Sequence, residues 1–360
     1  MANSSSQERF AYDFEVPILE VEKEIRELTE KAASSPEELN DKLEKLERKR
    51  DRLLARTFRN LTAYQRVKLA RHPARPHPMD YVKALVADFI ELHGDRRFGD
   101  DPAIVAGLGR LDEHRVMIVA QRKGRETREK MAANFGMPQP EGYRKALHKM
   151  RLAEKFGLPL ICLIDTPGAA PAVGAEERGQ AMAIAENIFV MAGLGVPIII
   201  LVTGEGCSGG ALGIGVGDRF AMLENAYYSV ISPEGCAAIL WKDGNKAPEA
   251  ADAMKLTAQD MLAAGVIDVI IAEPLGGAHR DPALTARNVA QYLTNALDEL
   301  KGIPTERLLE ERYQRYRRQG VFRVAEPAPE AAVPAAAPPS SDAPDAPASE
   351  ASPAEPPADA

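Results

Sequence analysis

The stretch best suited to chemistry is Gly204-Glu205-Gly206-Cys207-Ser208-Gly209-Gly210-Ala211-Leu212-Gly213-Ile214-Gly215. It follows residues 197–203, an apolar run rich in Ile and Val that reads as a buried strand. Gly and Ala then let the backbone turn sharply into a helix. The first N–H groups of a helix have no internal partner, and the helix dipole makes its start favour negative charge. A second loop, Asp165-Thr166-Pro167-Gly168, follows another apolar run at 158–164. Stacked side by side, the two loops would offer two backbone N–H groups to one oxygen. Such an oxyanion hole needs neither a nucleophile nor a titrating base, and it suits reactions that pass through an enolate. The expected donors are the amides around Gly209, Gly210 and Ala211, with Gly168 and Ala169 as the opposite wall.

Three rival readings compete for the same glycines. Gly206-Cys207-Ser208-Gly209-Gly210 matches G-x-S-x-G, the nucleophile elbow of serine hydrolases, and the chain order supplies a later Asp268 and His279. That serine-hydrolase alternative leaves the Asp165 loop unexplained. A phosphate-binding P-loop fails because no Lys-Ser/Thr pair follows the last glycine. A dinucleotide fingerprint fails because the glycine spacing does not make the tight first turn. A non-enzymatic scaffold is the third class of reading, and it predicts that glycine-loop variants function normally.

The elements that must position these loops alternate. A helix near 141–156 leads to the strand at 158–164. A helix at 175–192 leads to the strand at 197–203. Short strands at 220–223 and 227–230 follow, then a helix with Ser232 as N-cap and Pro233 at its first position. A strand at 266–272 and a helix at 282–301 close the series. Strands alternating with helices predict an α/β core. Before it, a hairpin of strands is expected at 104–111 and 116–120, after a helix at 79–92. Residues 1 to 16 read as frayed. Ile18, Val21, Ile25 and Leu28, then Leu39, Leu43, Leu46 and Leu53, predict two amphipathic helices forming a hairpin, the second capped by Ser35. The prolines of 72–78 mark a connector, with His72 and His77 as surface residues. The expected divisions are 1–78 for hairpin and connector, 79–320 for the domain that carries the site, and 325–360 for a tail. That tail holds ten prolines and seven acids with no Lys or Arg, and its composition predicts disorder.

The tail carries nearly all of the net charge of −8. A nearly neutral body lacks the basic face of a nucleic-acid binder. Cys162, Cys207 and Cys236 have no CxxC spacing, so no zinc site or disulfide framework is expected within this chain. A reducing cytosol fits. No early run reads as a signal peptide, and no apolar stretch reaches membrane-spanning length.

Longer stretches carry a resemblance. They are Gln121-Arg122-Lys123-Gly124-Arg125-Glu126-Thr127, Asn134-Phe135-Gly136-Met137-Pro138, and Pro140-Glu141-Gly142-Tyr143-Arg144-Lys145-Ala146-Leu147. Further along come Val173-Gly174-Ala175-Glu176-Glu177-Arg178-Gly179-Gln180, residues 229–237, and Glu273-Pro274-Leu275-Gly276-Gly277-Ala278-His279-Arg280. With both loops, these stretches resemble the alpha subunits of the acetyl-CoA carboxylase carboxyltransferase of bacteria and plastids, from the helical hairpin to about Arg318. The resemblance implies a crotonase-like fold, a spiral of ββα turns. It implies carboxyl transfer from carboxybiotin, borne by a separate biotin carboxyl carrier protein, to acetyl-CoA, giving malonyl-CoA for fatty-acid synthesis in the cytoplasm. Implied partners are a carboxyltransferase beta chain in a heterotetramer, with zinc only on that beta chain, and biotin carboxylase in the full complex. No membrane is implied. The oxygen in the hole would be that of the biotin ureido group. Arg122, Lys123 and Arg125 could meet CoA phosphates, against a favoured reading as a solvated or interface surface paired with Glu126 and Glu129. Asp165 is read as a turn and cap residue, and Cys207 and Cys236 as small packing residues. The family pattern carries Tyr and Gly where this chain has Ala170 and Ala172, and Gly where it has Cys207, so no side-chain contact is assigned to Ala170.

Overall fold

The computed structural model describes residues 10–32 and 36–320. Its frame is an eight-stranded sheet. β1 (Val86–Glu91), β2 (Ile104–Leu111) and β3 (His114–Gln121) form an antiparallel meander. From β3 onward the pairing is parallel, through β4 (Leu160–Thr166), β5 (Ile198–Cys207), β6 (Arg219–Leu223) and β8 (Val269–Ile271). β7 (Tyr227–Ser229) pairs with the far end of β5. β4 and β5 are buried at every residue, as central parallel strands covered on both faces must be.

Fourteen helices surround this sheet among the described residues. α1 (Val16–Ala32) and α2 (Pro36–Phe58) pack on each other and are followed by α3 (Ala63–Ala70) and α4 (Pro78–Leu85). α5 (Thr127–Ala132), α6 (Pro140–Lys155), α7 (Val173–Glu177), α8 (Gln180–Gly193) and α9 (Ser208–Leu212) serve the two loops. α10 (Pro233–Trp241), α11 (Ala247–Met254), α12 (Ala258–Ala263), α13 (Pro282–Leu300) and α14 (Thr305–Arg317) complete the chain. Ser232 caps α10 as expected, its Oγ accepting from Gly235 N–H at 3.1 Å.

Several expectations change. The helix expected over 79–92 stops at Leu85, and Val86–Glu91 becomes β1 because β2 offers it a free edge. The helix expected over 175–192 is broken before Gln180, where Gly179 takes φ +81°. Residues 10–15 are not frayed: Tyr12 and Phe14 pack with Ile18, Leu54, Phe58 and Leu69, and Glu15 is buried. His72 is buried rather than a surface residue, and His77 is half-buried. Among the described residues, those before and after position 78 pack in one unit. The physical reason is that Arg71 and Arg75, in the stretch read as a connector, are tied into the core by Glu205 and Glu273. The expected Ser35 cap and the expected disorder of 325–360 lie outside the described residues. Among the described residues no helix is long and apolar enough to cross a membrane.

Candidate active site

β5 does not end where its glycines begin. It runs on through Gly204, Glu205 and Gly206 to Cys207, where it pairs with β7. Gly206 is there for packing, because a Cβ would lie 2.5 Å from the Tyr228 ring. The turn itself falls on Ser208, at φ +58°. α9 starts at that turn, and the N–H groups of Ser208, Gly209 and Gly210 open it without acceptors inside the helix.

The two loops touch backbone to backbone. A Cβ on Gly210 would lie 2.4 Å from Gly168 C and 2.5 Å from Ala169 N. In the Asp165 loop, Gly168 N–H is taken by Thr166 Oγ1 at 3.1 Å, and Ala170 N–H by Pro138 O at 3.0 Å. Ala169 N–H, between them, meets no acceptor among the described residues. The arrangement can therefore present Ala169 N–H and the start of α9 to one negatively charged oxygen, with a glycine contact that leaves no room for a side chain.

A buried ion cluster sits at the strand ends that lead into both loops. Lys123 Nζ sits 2.6 Å from Asp165 Oδ1 and 2.5 Å from Glu205 Oε2, so one ammonium joins the ends of β4 and β5, the strands that lead into the two loops. Glu205 N–H donates to the same Asp165 Oδ1 at 2.9 Å. On the other side, Glu205 Oε1 takes Arg71 Nε at 2.7 Å and the Tyr227 hydroxyl at 2.6 Å, and Arg71 goes on to Glu234 at 2.8 Å. Burial pushes the Glu205 carboxyl up, but the charges of Lys123 and Arg71 outweigh it and hold the carboxyl down at about 2. Burial likewise opposes the Lys123 charge, and Asp165 and Glu205 reverse that, raising its pKa. A cavity of about 520 Å³ opens beside the cluster, lined by Arg71, His77, Lys123, Lys130, Phe135 and Glu205 among others.

The expected basic run is thus split. Lys123 is not on a solvated surface; its charge is committed inward. Arg122 Nε donates to Pro102 O at 2.9 Å, while Arg125 pairs with Asp80 and its N–H donates to Glu129. Arg122 and Arg125 line a separate cavity of about 610 Å³ that also holds Lys83, Asp80, Glu91 and Glu129. Asp165 does more than turn the chain, because it anchors Lys123 and the Glu205 amide. Cys207 is buried, which pushes its thiol up to about 11 and suits a packing residue. Sequence reasoning missed Gln121, Tyr143, Arg71 and Tyr227 as parts of the site. The one available signal was a polar residue, Gln121, closing a strand otherwise apolar from Val116 to Ala120.

The hydrolase constellation does not assemble. Ser208 has the strained turn of an elbow, but His279 Nε2 lies 3.2 Å from Glu15 Oε1 and its ring stacks on His72 at 4.0 Å. Asp268 accepts from Phe220 N–H at 2.7 Å and pairs with Arg315. Glu15, His72 and His279 bring ligand-type atoms within 4.8 Å of one another. Because the two rings lie face to face, their in-plane lone pairs run side by side and do not converge on an ion. His72 Nδ1 also already accepts from Ala74 N–H at 3.1 Å.

Comparison with known proteins gives the family and the fold. The acetyl co-enzyme A carboxylase carboxyltransferase-like family matches residues 11–320. Acetyl-coenzyme A carboxylase carboxyl transferase subunit alpha of Geobacter metallireducens is 53% identical over 314 residues, covering 87% of this chain and 98% of that protein. The protein of the same name from Geobacter sulfurreducens is 58% identical over 275 residues, covering 76% and 86%. Among solved structures, a transcarboxylase 12S with methylmalonyl-coenzyme A and methylmalonic acid bound is similar in fold, with TM-score 0.52 and 18% identity. The match covers 70% of this chain and 44% of the transcarboxylase chain. A Pseudomonas malonate decarboxylase hetero-tetramer in complex with coenzyme A gives TM-score 0.50 at 18% identity, covering 60% and 86%.

Proposed function

This chain belongs to the acetyl-coenzyme A carboxylase carboxyltransferase-like family and is a carboxyl-transferring enzyme subunit of its alpha class, and from that premise we propose that its two stacked loops form the wall facing the carboxyl donor. The reaction is transfer of a carboxyl group to the methyl carbon of acetyl-CoA, giving malonyl-CoA. The donor in this proposal is carboxybiotin on a separate carrier protein: its N–carboxyl bond breaks, negative charge appears on its ureido oxygen, and the ureido group takes the methyl proton that the new carbon–carbon bond replaces. The spiral crotonase-like arrangement of ββα turns is part of the same reading, supported by the parallel run from β3 to β8.

The observation that carries the reading is the contact of Gly210 with Gly168 and Ala169. It leaves a cradle bounded by backbone alone, with the Ala169 N–H free and the open N–H groups of Ser208, Gly209 and Gly210 at the start of α9, while the Ala211 N–H closes the first helical turn on Cys207 O. Fixed donors act most strongly where charge develops in a site shielded from water, and one of them is typically worth about 3–4 kcal/mol of barrier. Each residue here has a plain duty. Ala169 and α9 donate to the oxygen, Gly168 and Gly210 keep the approach open, and Asp165, Lys123 and Glu205 hold the loops in register. Ser208 needs no nucleophilic role, since the carboxyl moves to carbon and the His279 and Asp268 of the elbow reading are engaged elsewhere. Lys123 has no charge left for CoA; Arg122 and Arg125 remain the candidates on this chain, and most of the thioester contacts fall to the beta chain. That partner would carry the zinc, and the carrier protein and biotin carboxylase would join in a cytoplasmic complex.

The test is reconstitution. Alone, the purified chain should form almost no malonyl-CoA from acetyl-CoA and carboxylated carrier, and addition of the beta chain should restore transfer. Full-rate transfer by this chain alone would overturn the shared site.

A further inference from the structure

A five-residue helix cannot orient its own peptide groups, because it closes too few internal hydrogen bonds to resist fraying. Yet one carbonyl of α9 is held by two side chains. Gln121 Nε2 donates to Gly210 O at 2.8 Å, and the Tyr143 hydroxyl donates to the same oxygen at 3.1 Å. Both side chains are fully buried. A carbonyl oxygen has two lone pairs, so this one is filled from both sides. The other end of the Gln121 amide is fixed too, since its Oε1 accepts from Asp165 N–H at 3.0 Å. Gln121 therefore spans the gap between the two loops, with one hand on each.

We propose that Gln121 and Tyr143 are positioning residues that set the plane of the Gly210–Ala211 peptide and so aim the donor N–H groups of α9. A trans peptide is planar, with its C=O and N–H pointing in opposite directions. Pinning the Gly210 oxygen toward Gln121 and Tyr143 therefore turns Ala211 N–H back toward Cys207 O, which closes the first turn of α9 and fixes the direction of the open N–H groups of Ser208, Gly209 and Gly210. The Gln121 bridge to Asp165 N–H keeps that direction in register with the loop that carries Ala169. Tyr143 is itself held in place: Asn187 Nδ2 donates to Tyr143 O at 3.1 Å and to Gly213 O at 2.8 Å, locking α6 to the end of α9. Its ring fills the space beside Gly213, where a Cβ would lie 2.5 Å from Tyr143 Cε1. Burial pushes the Tyr143 hydroxyl well above its ordinary range, so it remains a donor.

This inference rests on the reading of the two loops as an oxyanion hole, and the experiment separates the two. Three variants are assembled with the beta chain and compared in steady-state transfer from carboxylated carrier to acetyl-CoA. Gln121→Glu keeps the shape and the acceptor for Asp165 N–H but sets an oxygen against the Gly210 carbonyl. Tyr143→Phe removes one hydroxyl and nothing else. Gly210→Ala tests the loop contact itself. The expected result is a fall in kcat of about a hundredfold for Gln121→Glu and about fivefold for Tyr143→Phe, with KM for acetyl-CoA and the melting temperature of Tyr143→Phe unchanged. The double variant should lose less than the product of the two, because both act on one carbonyl. If Gly210→Ala abolishes transfer while both other variants keep kcat within about twofold of the parent, the positioning role is wrong and the loop reading stands. If Gly210→Ala transfers at the parent rate, the loop reading fails and this inference fails with it. Should Gln121→Glu not assemble, Tyr143→Phe decides alone: an unchanged kcat overturns the proposal.

Discussion

Two buried ion clusters in this molecule look alike in composition and differ in use. Arg312, on α14, is fully buried and makes five hydrogen bonds, two to the Asp218 carboxylate at 2.8 Å and three to the carbonyls of Met191, Leu194 and Val196. Every donor is matched and every bond runs to a rigid turn, so this cluster fastens one helix to the sheet. Lys123 instead joins the ends of β4 and β5, Asp165 on one and Glu205 on the other, at the strand ends from which the two loops leave. Cavity size does not separate them. The larger space, about 940 Å³, opens beside Arg312, and the smaller, about 520 Å³, beside Lys123. What separates them is what the ion pair holds: backbone donors with no internal partner in one case, a helix docking surface in the other.

That contrast can be broken most directly at Lys123. Lys123→Met leaves Asp165 and Glu205 buried against each other without their shared cation, and loss of one partner of a buried pair costs about 3–5 kcal/mol. The stability loss alone would match that of any buried ion pair. The expected signature is a further fall in kcat of about a hundredfold in the folded, assembled complex, because the two loops lose their register. Stability is read by denaturant titration and kcat by transfer with the beta chain in excess. A kcat equal to that of the parent would reduce Lys123 to a second fastener.

Arg312→Met supplies the other half. It strands Asp218 in the same way and should cost a similar amount, about 3–5 kcal/mol, in the same titration. Its kcat in the assembled complex should stay within about twofold of the parent, since its partners lie at the far end of α8 and before the starts of β5 and β6, at the opposite ends of those elements from the loops. A large kcat defect here would mean that α14 is coupled to the site through β6 and β5, and that the two clusters are one system.

The same contrast explains what could be read from the chain beforehand. The parallel strands and the Ser232 cap were legible because they depend on neighbours a few residues away: an apolar run, a cap residue before Pro233. Both loops, and their stacking, were legible because each follows such a run and carries small residues. β1 was not, because Val86–Glu91 is strand only by virtue of pairing with β2, and the same six residues continue a helix equally well on local preference. Lys123 read as surface because it sits among Arg122, Arg125, Arg128 and Lys130; its partners Asp165 and Glu205 are distant in sequence and carry no mark of their role. Gln121 failed in the same manner. A polar side chain ending a strand says that something is hydrogen-bonded, but not that the partner is a glycine carbonyl on the next loop but one.

A third buried cluster sharpens the comparison through pH. Glu15, His72 and His279 join the first described residues to the connector and to the loop after β8, by a ring stack and one hydrogen bond. Burial lowers the pKa of His72 to about 4, helped by the neighbouring His279 and Arg75 and opposed by Glu15. Burial raises the Glu15 carboxyl, but the bonds from His279 and from Tyr12 N–H bring it below its ordinary range. The unfolded chain takes a proton on His72 near its ordinary value of about 6.5, whereas the folded chain refuses it until about 4. Stability from this cluster is therefore complete above about 6.5 and lost as the pH falls toward 4, and the Glu15 contribution fades in the same direction. Glu205, held at about 2, keeps the Lys123 cluster charged through that whole window. The melting temperature of the chain should thus drop by a few degrees between pH 7 and pH 4.5, at roughly 1.5 °C for each kcal/mol lost in a unit of this size. His72→Phe preserves a ring for the stack but cannot titrate, so its melting temperature should fall with a visibly shallower slope over the same range. Equal slopes would place the acid sensitivity outside this cluster and leave the charged pairs as the first to fail.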